Sequence, residues 1–511
     1  MRIFLEFSPE RRDVERKRLQ YAFALFCAVR GHQIAKRCDA SAADVRITYS
    51  AATAAASPHP ALRLANLYRA RPLTQPAPAP KAFRRGPLTT VLFYEPAASQ
   101  EPDWLAEIFE WVSCSDEYSI ERRDSIGRID FRDSYVGRYN LDLTVPYAGL
   151  AMQFLDHALH RCLGLMVDEG SRESGGHAHF VINTHDVDIL PHGYFGSLYR
   201  LAKYALISLL KFNSPRTALR QAGQTLAMAI GGPNVLDQTP RVMNGEISAG
   251  VGASYFFIAR HNHRRDGNYR VADIAVTQLM HAIEASGMEV ALHGSYTSLD
   301  RPPGLAYELS LLQQANVRPR GNRQHWLRFT LDRLIPAVEQ SGVLYDSSLG
   351  WDRLGFRAGA CFAFPPYNFE REGPATFLEI PLVVMEIGLV TEDYREERWV
   401  DHVKQVLTNS RECGRGGISL LWHPTAFGGG QLPPEIERIF WELIERRHEC
   451  NDTWVSAIDF VRMASSRYIE AGLLPSAYAS DLRRTPQEVS APALCDAQIF
   501  SHPVELPICG N

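Results

Sequence analysis

In the stretch "VINTHDVDIL", residues 181–190, an apolar run gives way abruptly to acid groups. Val181 and Ile182 have the character of a buried strand. Thr184, His185, Asp186, Val187 and Asp188 then come in direct succession. Residues two apart on a strand point to the same side. If the extended backbone continues, Asp186 and Asp188 are therefore neighbours, and His185 points away from both. Two adjacent carboxylates repel and need a cation, a shared proton or open solvent.

Around this stretch the pattern is regular. Strand candidates are "HFVIN", "SYFFIA", "MEVAL", "VLYDS", "FLEIPLV" and "GISLLW". Helical segments lie between several of them: "VADIAVTQLMHAIEASG", "QHWLRFTLDRLIPAVEQSG" and "RWVDHVKQVLTNSREC". Two of these end at Gly287 and Gly342, where a left-handed C-cap is expected. Strands alternating with helices imply a parallel sheet or a β/α barrel. Active sites in such folds form at the carboxyl ends of the strands.

The residues just past each strand are polar and titratable. "HFVIN" leads to Thr184, His185, Asp186 and Asp188, and "MEVAL" to "HGSYTS", beginning at His293. "VLYDSS" carries Asp346, "GFRAG" carries Arg357, "FLEIP" carries Glu379, and "GISLLWHP" ends on His423. Singly, an Asp after a strand is often a turn or cap residue. Their recurrence at one end of successive strands is what points to a site.

Residues 1–173 read as an N-terminal mixed α/β accessory domain. Its strand candidates are "RIFLEF", "DVRITYS" and "TTVLFYE", and its helices "ERKRLQYAFALFCAVRG" and "AGLAMQFLDHALHRCLG". "AATAAASPHP" and "PLTQPAPAPKAFRRGP" are Ala/Pro-rich and read as loops. The Gly/Ser-rich "VDEGSRESGGHAH" sets a boundary near residue 174, the barrel is expected over 174–473, and 474–511 reads as a loosely packed tail.

The whole chain, 511 residues with 45% apolar and 22% charged content, is of ordinary globular composition. A formal net charge of -4 gives no basic footprint for nucleic acid. Nine cysteines without a Cys-x-x-Cys pair fit reduced thiols. The N-terminus turns charged before an apolar core of signal-peptide length appears, and a cytoplasmic location is expected. "LYRLAKYALISLLKF", residues 198–212, is interrupted by Arg200, Lys203 and Lys211 and is too short to span a bilayer. It reads as an amphipathic helix packed on the protein with its basic residues outward. The alternative is a helix lying on a membrane surface.

At the strand-end residues the sequence resembles the polysaccharide deacetylases of carbohydrate esterase family four, over roughly residues 178 to 465 as judged by the strand pattern. The resemblance implies an irregular (β/α) barrel. In "THDVD" it makes Asp186 the catalytic base and Asp188 a metal ligand. It makes His293 of "LHGSY" a metal ligand, Arg357 of "GFRAG" the residue that orients the base, and His423 of "LLWHP" the catalytic acid. Tyr296 and Trp422 are the expected substrate contacts. Where the family usually places a second metal-binding His, four residues after the first, this chain has Thr297. His325, in "GNRQHWLRF", is the candidate replacement; it comes after "GNR", read as a turn, and opens a helix.

The chemistry this implies is amide hydrolysis of an N-acetylated sugar or glycan precursor. A divalent metal, zinc by its Asp and His ligands, would polarise the acyl oxygen. Other divalent ions suit mixed oxygen and nitrogen ligation as well. Asp186 would take a proton from water and His423 would give one to the leaving nitrogen. Two other classes are weighed: a glycosyltransferase using Asp186 and Asp188 to chelate a metal on a nucleotide sugar, and a non-catalytic sugar-binding protein of the same fold.

Overall fold

The computed structural model describes all residues except 9, 37–40, 50–59, 87, 167–178, 191–192, 211–214, 233, 237, 302–303, 393–397, 415, 430 and 484–511. The expected boundary near residue 174 lies outside the described residues.

The N-terminal region is mixed α/β. Strands β1 (Arg2–Glu6), β2 (Gln33–Ile34), β3 (Val45–Thr48) and β4 (Ala61–Arg63) form a parallel sheet in the order β2-β1-β3-β4. Helix α1 (Asp13–Arg30) begins with Asp13 and Glu15 in its first turn and stops at Gly31, whose φ of 76° few other residues adopt. β5 (Lys81–Arg85) and β6 (Leu88–Leu92) pair antiparallel, so part of the Ala/Pro-rich run expected as loop is a strand, fixed by its hairpin partner. Helices α2 (Trp104–Ser113) and α3 (Tyr147–Cys162) pack together, with Trp104 stacked on Phe154 at 4.8 Å.

Among the described residues the second sheet has nine strands: β7 (His179–Val187), β8 (Ser254–Ile258), β9 (Glu289–Gly294), β10 (Gly321–Gln324), β11 (Tyr345–Asp346), β14 (Leu378–Glu379), β15 (Leu382–Met385), β16 (Gly416–Leu421) and β17 (Asp452–Val455). A small hairpin, β12 (Tyr367–Asn368) and β13 (Gly373–Pro374), lies between β11 and β14. Every pairing in the large sheet is parallel. Its order runs β14-β11-β10-β9-β8-β7-β16-β15. The two ends of that path, β14 and β15, are consecutive pieces of one extended run. Ile380 N donates to Asp346 O on one side of the run, and Ser419 N to Pro381 O on the other, each at 2.8 Å. The sheet thus closes on itself as an irregular (β/α) barrel, with helices Ile274–Ala285, Leu331–Ser341 and Trp399–Cys413 between strands. Gly287 and Gly342 hold φ of 82° and 75°, as their C-terminal positions require.

One buried apolar cluster runs from Ile3 to Tyr478, so the N-terminal region and the barrel share a core. Tyr21 Oη donates to Pro365 O at 2.7 Å, and Arg18 pairs with Glu372 at 2.6 Å. The expectation of a loosely packed tail from 474 fails for its first residues. Leu474 is buried, and helix Ala477–Arg483 inserts Tyr478, whose hydroxyl donates to Leu344 O at 2.6 Å.

After β7 the chain forms a helical hairpin, α4 (Gly193–Leu210) and α5 (Pro215–Ala229). Leu201 and Tyr204 of α4 are buried with Met228 and Leu236. Arg220, Gln221 and Gln224 of α5 donate to the carbonyls of Leu432, Gln431 and Gly428. Lys203 faces out as expected, but Tyr199, Leu206 and Leu210 do too, so the outer face is not simply basic. Among the described residues no helix is long and apolar enough to cross a membrane.

Candidate active site and metal centre

The carboxyl ends of the barrel strands bring together residues distant in sequence. Asp186, in β7, and Asp188, just past its end, both face His293, while His185 faces Glu246 on the other side. There His185 is buried between Glu246, at 2.7 Å, and Trp422 O, at 2.6 Å. His293 comes from β9, His325 from just past β10, and His423 from just past β16.

Asp188, His293 and His325 present ligand atoms that all lie within 4.8 Å of one another. His293 Nε2 is 3.3 Å from Asp188 Oδ1, and His325 Nε2 is 3.6 Å from Asp188 Oδ2. The arrangement fits a divalent cation. Asp188 Oδ1 is buried without a hydrogen-bond partner. His293 is fixed from behind, its Nδ1 at 2.9 Å from Arg323 O, so that Nε2 faces the centre. Behind His325 stands Asp266, 3.8 Å from its Nδ1 and held by the backbone N–H groups of Tyr296, Asn262 and His263. Burial alone would lower the His325 pKa, but Asp188 and Asp266 raise it to about 9. Burial would raise the Asp188 pKa, yet His325, His293 and His423 hold it well below the carboxylate range. The centre thus attracts positive charge, be it a proton on an imidazole or a bound cation. Thr297 is hydrogen-bonded with Asn262 and takes no part.

His325 opens only a single distorted 3-10 turn, His325–Leu327, and "GNRQ" before it is not a turn. It is strand β10, with all four residues buried. The chain then bends sharply, Trp326 and Leu327 holding φ of 63° and 50°, and the next α-helix starts only at Leu331. That bend aims His325 into the barrel mouth.

Asp186 sits beside this cluster, 3.5 Å from His293 Nε2. Arg323 donates to it at 2.9 Å from β10. Burial pushes the Asp186 carboxyl up, but His293, Arg323 and His423 outweigh it and keep its pKa below the ordinary value. Arg357, expected to orient Asp186, does not reach it. Its guanidinium makes a two-point pair with Glu117 at 2.9 and 2.8 Å and donates to Gly350 O. It joins the N-terminal region to the barrel. Arg323 escapes a reading of the sequence because it stands in a polar run.

His423 Nε2 is 3.6 Å from Asp188, and its Nδ1 is 2.6 Å from Glu386. Burial opposes its protonation, but Glu386, Asp188 and Asp186 raise its pKa to about 10. Glu386, at the end of β15, and Asp266, in the loop after β8, are not among the residues expected from the sequence. Glu386 is an acid just past a barrel strand, the same signal that marks Asp188, whereas Asp266 lies well into its loop.

Trp422 is buried, donates to Ile436 O and packs on Phe440, so it offers no surface to a substrate. Tyr296 stacks on His263 at 4.3 Å, has Arg328 against its ring, and spends its hydroxyl on Ile126 O. Neither is an open substrate platform. Asp346 and Glu379 lie on barrel strands but bond to Ser348 and to Leu349 N, apart from the metal cluster. The open side of the site is marked by Asp188 and His423, whose side chains are 27% and 19% exposed while the other groups are nearly closed off. The Asp188 charge reaches Tyr204 of α4. Burial and the Asp188 charge raise its pKa, against the pull of Arg200.

No family model and no curated protein matches the chain. Solved structures do. A structure described as a candidate polysaccharide deacetylase from Mycobacterium smegmatis aligns over 58% of this chain and 92% of its own, at 16% identity and a TM-score of 0.37. The polysaccharide deacetylase Bc1974 from Bacillus cereus aligns over 54% and 91%, at 11% identity and 0.29. A family 4 carbohydrate esterase from Streptomyces lividans aligns over 53% and 90%, at 14% identity and 0.25. The solved structures to which the chain is similar are polysaccharide deacetylases and family 4 carbohydrate esterases.

Proposed function

We propose that the chain is a metal-dependent hydrolase that removes the acetyl group from an N-acetylated sugar or glycan precursor. The observation that carries this reading is the convergence of Asp188, His293 and His325 beside Asp186 and His423 at one barrel mouth. One Asp and two His with open positions are the protein ligand count of catalytic zinc sites. Zinc is therefore the first ion to test, with other divalent ions also suited to the set. When bound, such an ion supplies Lewis-acid polarisation of the acyl oxygen.

Asp186 is the general base. It is buried, held ionised by its neighbours, and free to accept a proton from the attacking water. Arg323 positions it, the task that the resemblance assigned to Arg357. His423, kept protonated by Glu386, donates to the nitrogen as the carbon–nitrogen bond breaks. The products are acetate and a free amine, and the proton taken by Asp186 balances the one given by His423.

The test is acetate release from a panel of N-acetylated sugars and oligosaccharides, with and without a chelator and with added zinc. Release that the chelator stops supports the reading. A requirement for a nucleotide sugar would replace it with a transferase. Glycan binding with neither metal nor turnover would make the chain a binding protein.

A further inference from the structure

Between Asp188 and Asp237 the sequence holds no acidic residue and five basic ones, Arg200, Lys203, Lys211, Arg216 and Arg220, in a chain of net charge -4. Most of this segment is the α4–α5 hairpin. Each helix has two different faces. On α4, Ser197, Leu201, Tyr204 and Ser208 are buried at a spacing of one turn. On the opposite face Tyr199, Leu206 and Leu210 are 73%, 56% and 73% exposed, at helical spacing. On α5 and just beyond it, Leu219, Leu226 and Ile230 are 77%, 66% and 82% exposed.

An apolar stripe on each of two paired helices is more than the scattered exposure of a soluble surface, and marks a protein or membrane contact. The charge decides between them. Lys203 and Arg216 are exposed beside the two stripes, while Arg220 turns inward to Leu432 O. A helix with an apolar face, basic residues beside it and no acid is built to lie in the plane of an anionic bilayer. Neither helix is long and apolar enough to cross one. We propose that the α4–α5 hairpin docks on an anionic lipid surface, with Tyr199, Leu206, Leu210, Leu219, Leu226 and Ile230 in the boundary between headgroups and acyl chains.

The inner side of the hairpin links this surface to the catalytic mouth. α5 is hydrogen-bonded to Gly428, Gln431 and Leu432, a few residues past His423, and Tyr204 of α4 feels the Asp188 charge. Docking on the outer face therefore holds the site behind the hairpin, about 10 Å, one helix diameter, from the lipid surface. The substrate class this implies is an acylated sugar presented at a membrane surface. This last step rests on the deacetylase reading, whereas the docking does not.

The experiment is sedimentation of the full chain with vesicles of phosphatidylcholine, alone or mixed with phosphatidylglycerol. Protein should pellet with the mixed vesicles at low salt, less as salt screens the basic residues, and far less with phosphatidylcholine alone. The double variant Leu206→Glu/Leu226→Glu alters only exposed positions. Its melting temperature and its acetate release from soluble sugars should match wild type, while vesicle partitioning falls on the order of tenfold or more. Wild-type protein that stays in the supernatant, or a double variant that pellets equally, would overturn the proposal. So would a dimer in analytical ultracentrifugation that the double variant dissociates, because a second copy would then cover the face. Soluble-sugar turnover is measured without vesicles, so failure of docking and failure of the deacetylase reading are separate results.

Discussion

The guanidinium of Arg323 meets the carboxylate of Asp186 at 2.9 Å inside the barrel, with neither side chain open to solvent. Its other donors reach Thr184 Oγ1, Ser347 O, Ser347 Oγ and Ser419 Oγ, so the buried charge is bound on every side. Removing one partner of a buried ion pair strands the other, at a cost of about 3–5 kcal/mol. Arg323→Met should lose that much stability in chemical denaturation and should also lose turnover per folded molecule. Arg357→Met breaks an equally buried pair with Glu117 and should lose comparable stability. It should keep turnover per folded molecule, because Arg357 does not touch the site. Full turnover in the Arg323 variant together with a catalytic defect in the Arg357 variant would return the orienting role to Arg357.

The two aspartates should separate by what they hold. Asp188→Asn and His325→Ala each remove a candidate ligand, and each should lower zinc affinity, by titration calorimetry, well beyond tenfold. Asp186→Asn should keep the metal and nearly abolish acetate release, because an amide cannot take the water's proton. Retained zinc in Asp188→Asn with loss in Asp186→Asn would exchange their roles. Unchanged affinity in His325→Ala would remove His325 from the ligand set.

His423 and Glu386 form a donor and its support. General acid catalysis contributes roughly 10²- to 10⁴-fold, and His423→Ala should lose turnover on that order while binding zinc as before. Glu386→Gln leaves the imidazole in place but removes the carboxylate that raises its pKa and fixes its ring. The loss in kcat should be about 10- to 100-fold, the range for a group that orients a catalytic or ligating histidine. A substrate with a leaving group needing no proton should recover most of the Glu386→Gln loss. If it recovers none, Glu386 acts on structure alone.

How far the sequence discloses this arrangement depends on the type of strand. β7, β8, β9 and β16 are apolar runs and are legible as strands, and with them Asp186, Asp188, His293 and His423. β10 is not. Gly321, Asn322, Arg323 and Gln324 have the composition of a turn, yet all are buried. Most of their polar atoms find partners across the barrel: Asn322 Nδ2 donates to Asp346, Arg323 donates to Asp186 and three neighbours, Gln324 Oε1 accepts from Ser298 and Gln324 N donates to Ser348 Oγ, while Asn322 Oδ1 and Gln324 Nε2 stay buried without one. Strand patterns are read from hydrophobic burial, and a strand whose buried side chains pair with one another escapes that signal. The same gap hides Arg323 and makes Arg357, flanked by glycines in a recognisable motif, stand in for it. Arg357 has a structural use instead, because Glu117 from the N-terminal region needs a buried counter-ion. The ligand role for His325 is inferred from a deficit at Thr297, and the structure places it beside Asp188 and His293 by a bend that no periodicity announces.

A last prediction concerns stability and pH, and rests on Glu289 at the start of β9, outside the active site. Its carboxylate accepts from Ser254 Oγ at 2.6 Å and from Ile458 N at 3.0 Å. Burial outweighs these bonds and raises its pKa from 4.5 to about 7. A carboxyl with a raised folded pKa binds a proton more readily folded than unfolded. Its contribution is therefore fully present below about pH 4.5 and is lost as pH rises through about 7. Glu289→Gln keeps an oxygen to accept both bonds and removes the ionisation. The variant should melt close to wild type at acid pH and above it in mildly alkaline buffer, the gap opening across that window. Melting curves of both proteins over this range decide the point. A gap that is constant with pH, or that widens toward acid, would mean that Glu289 is already ionised in the folded barrel.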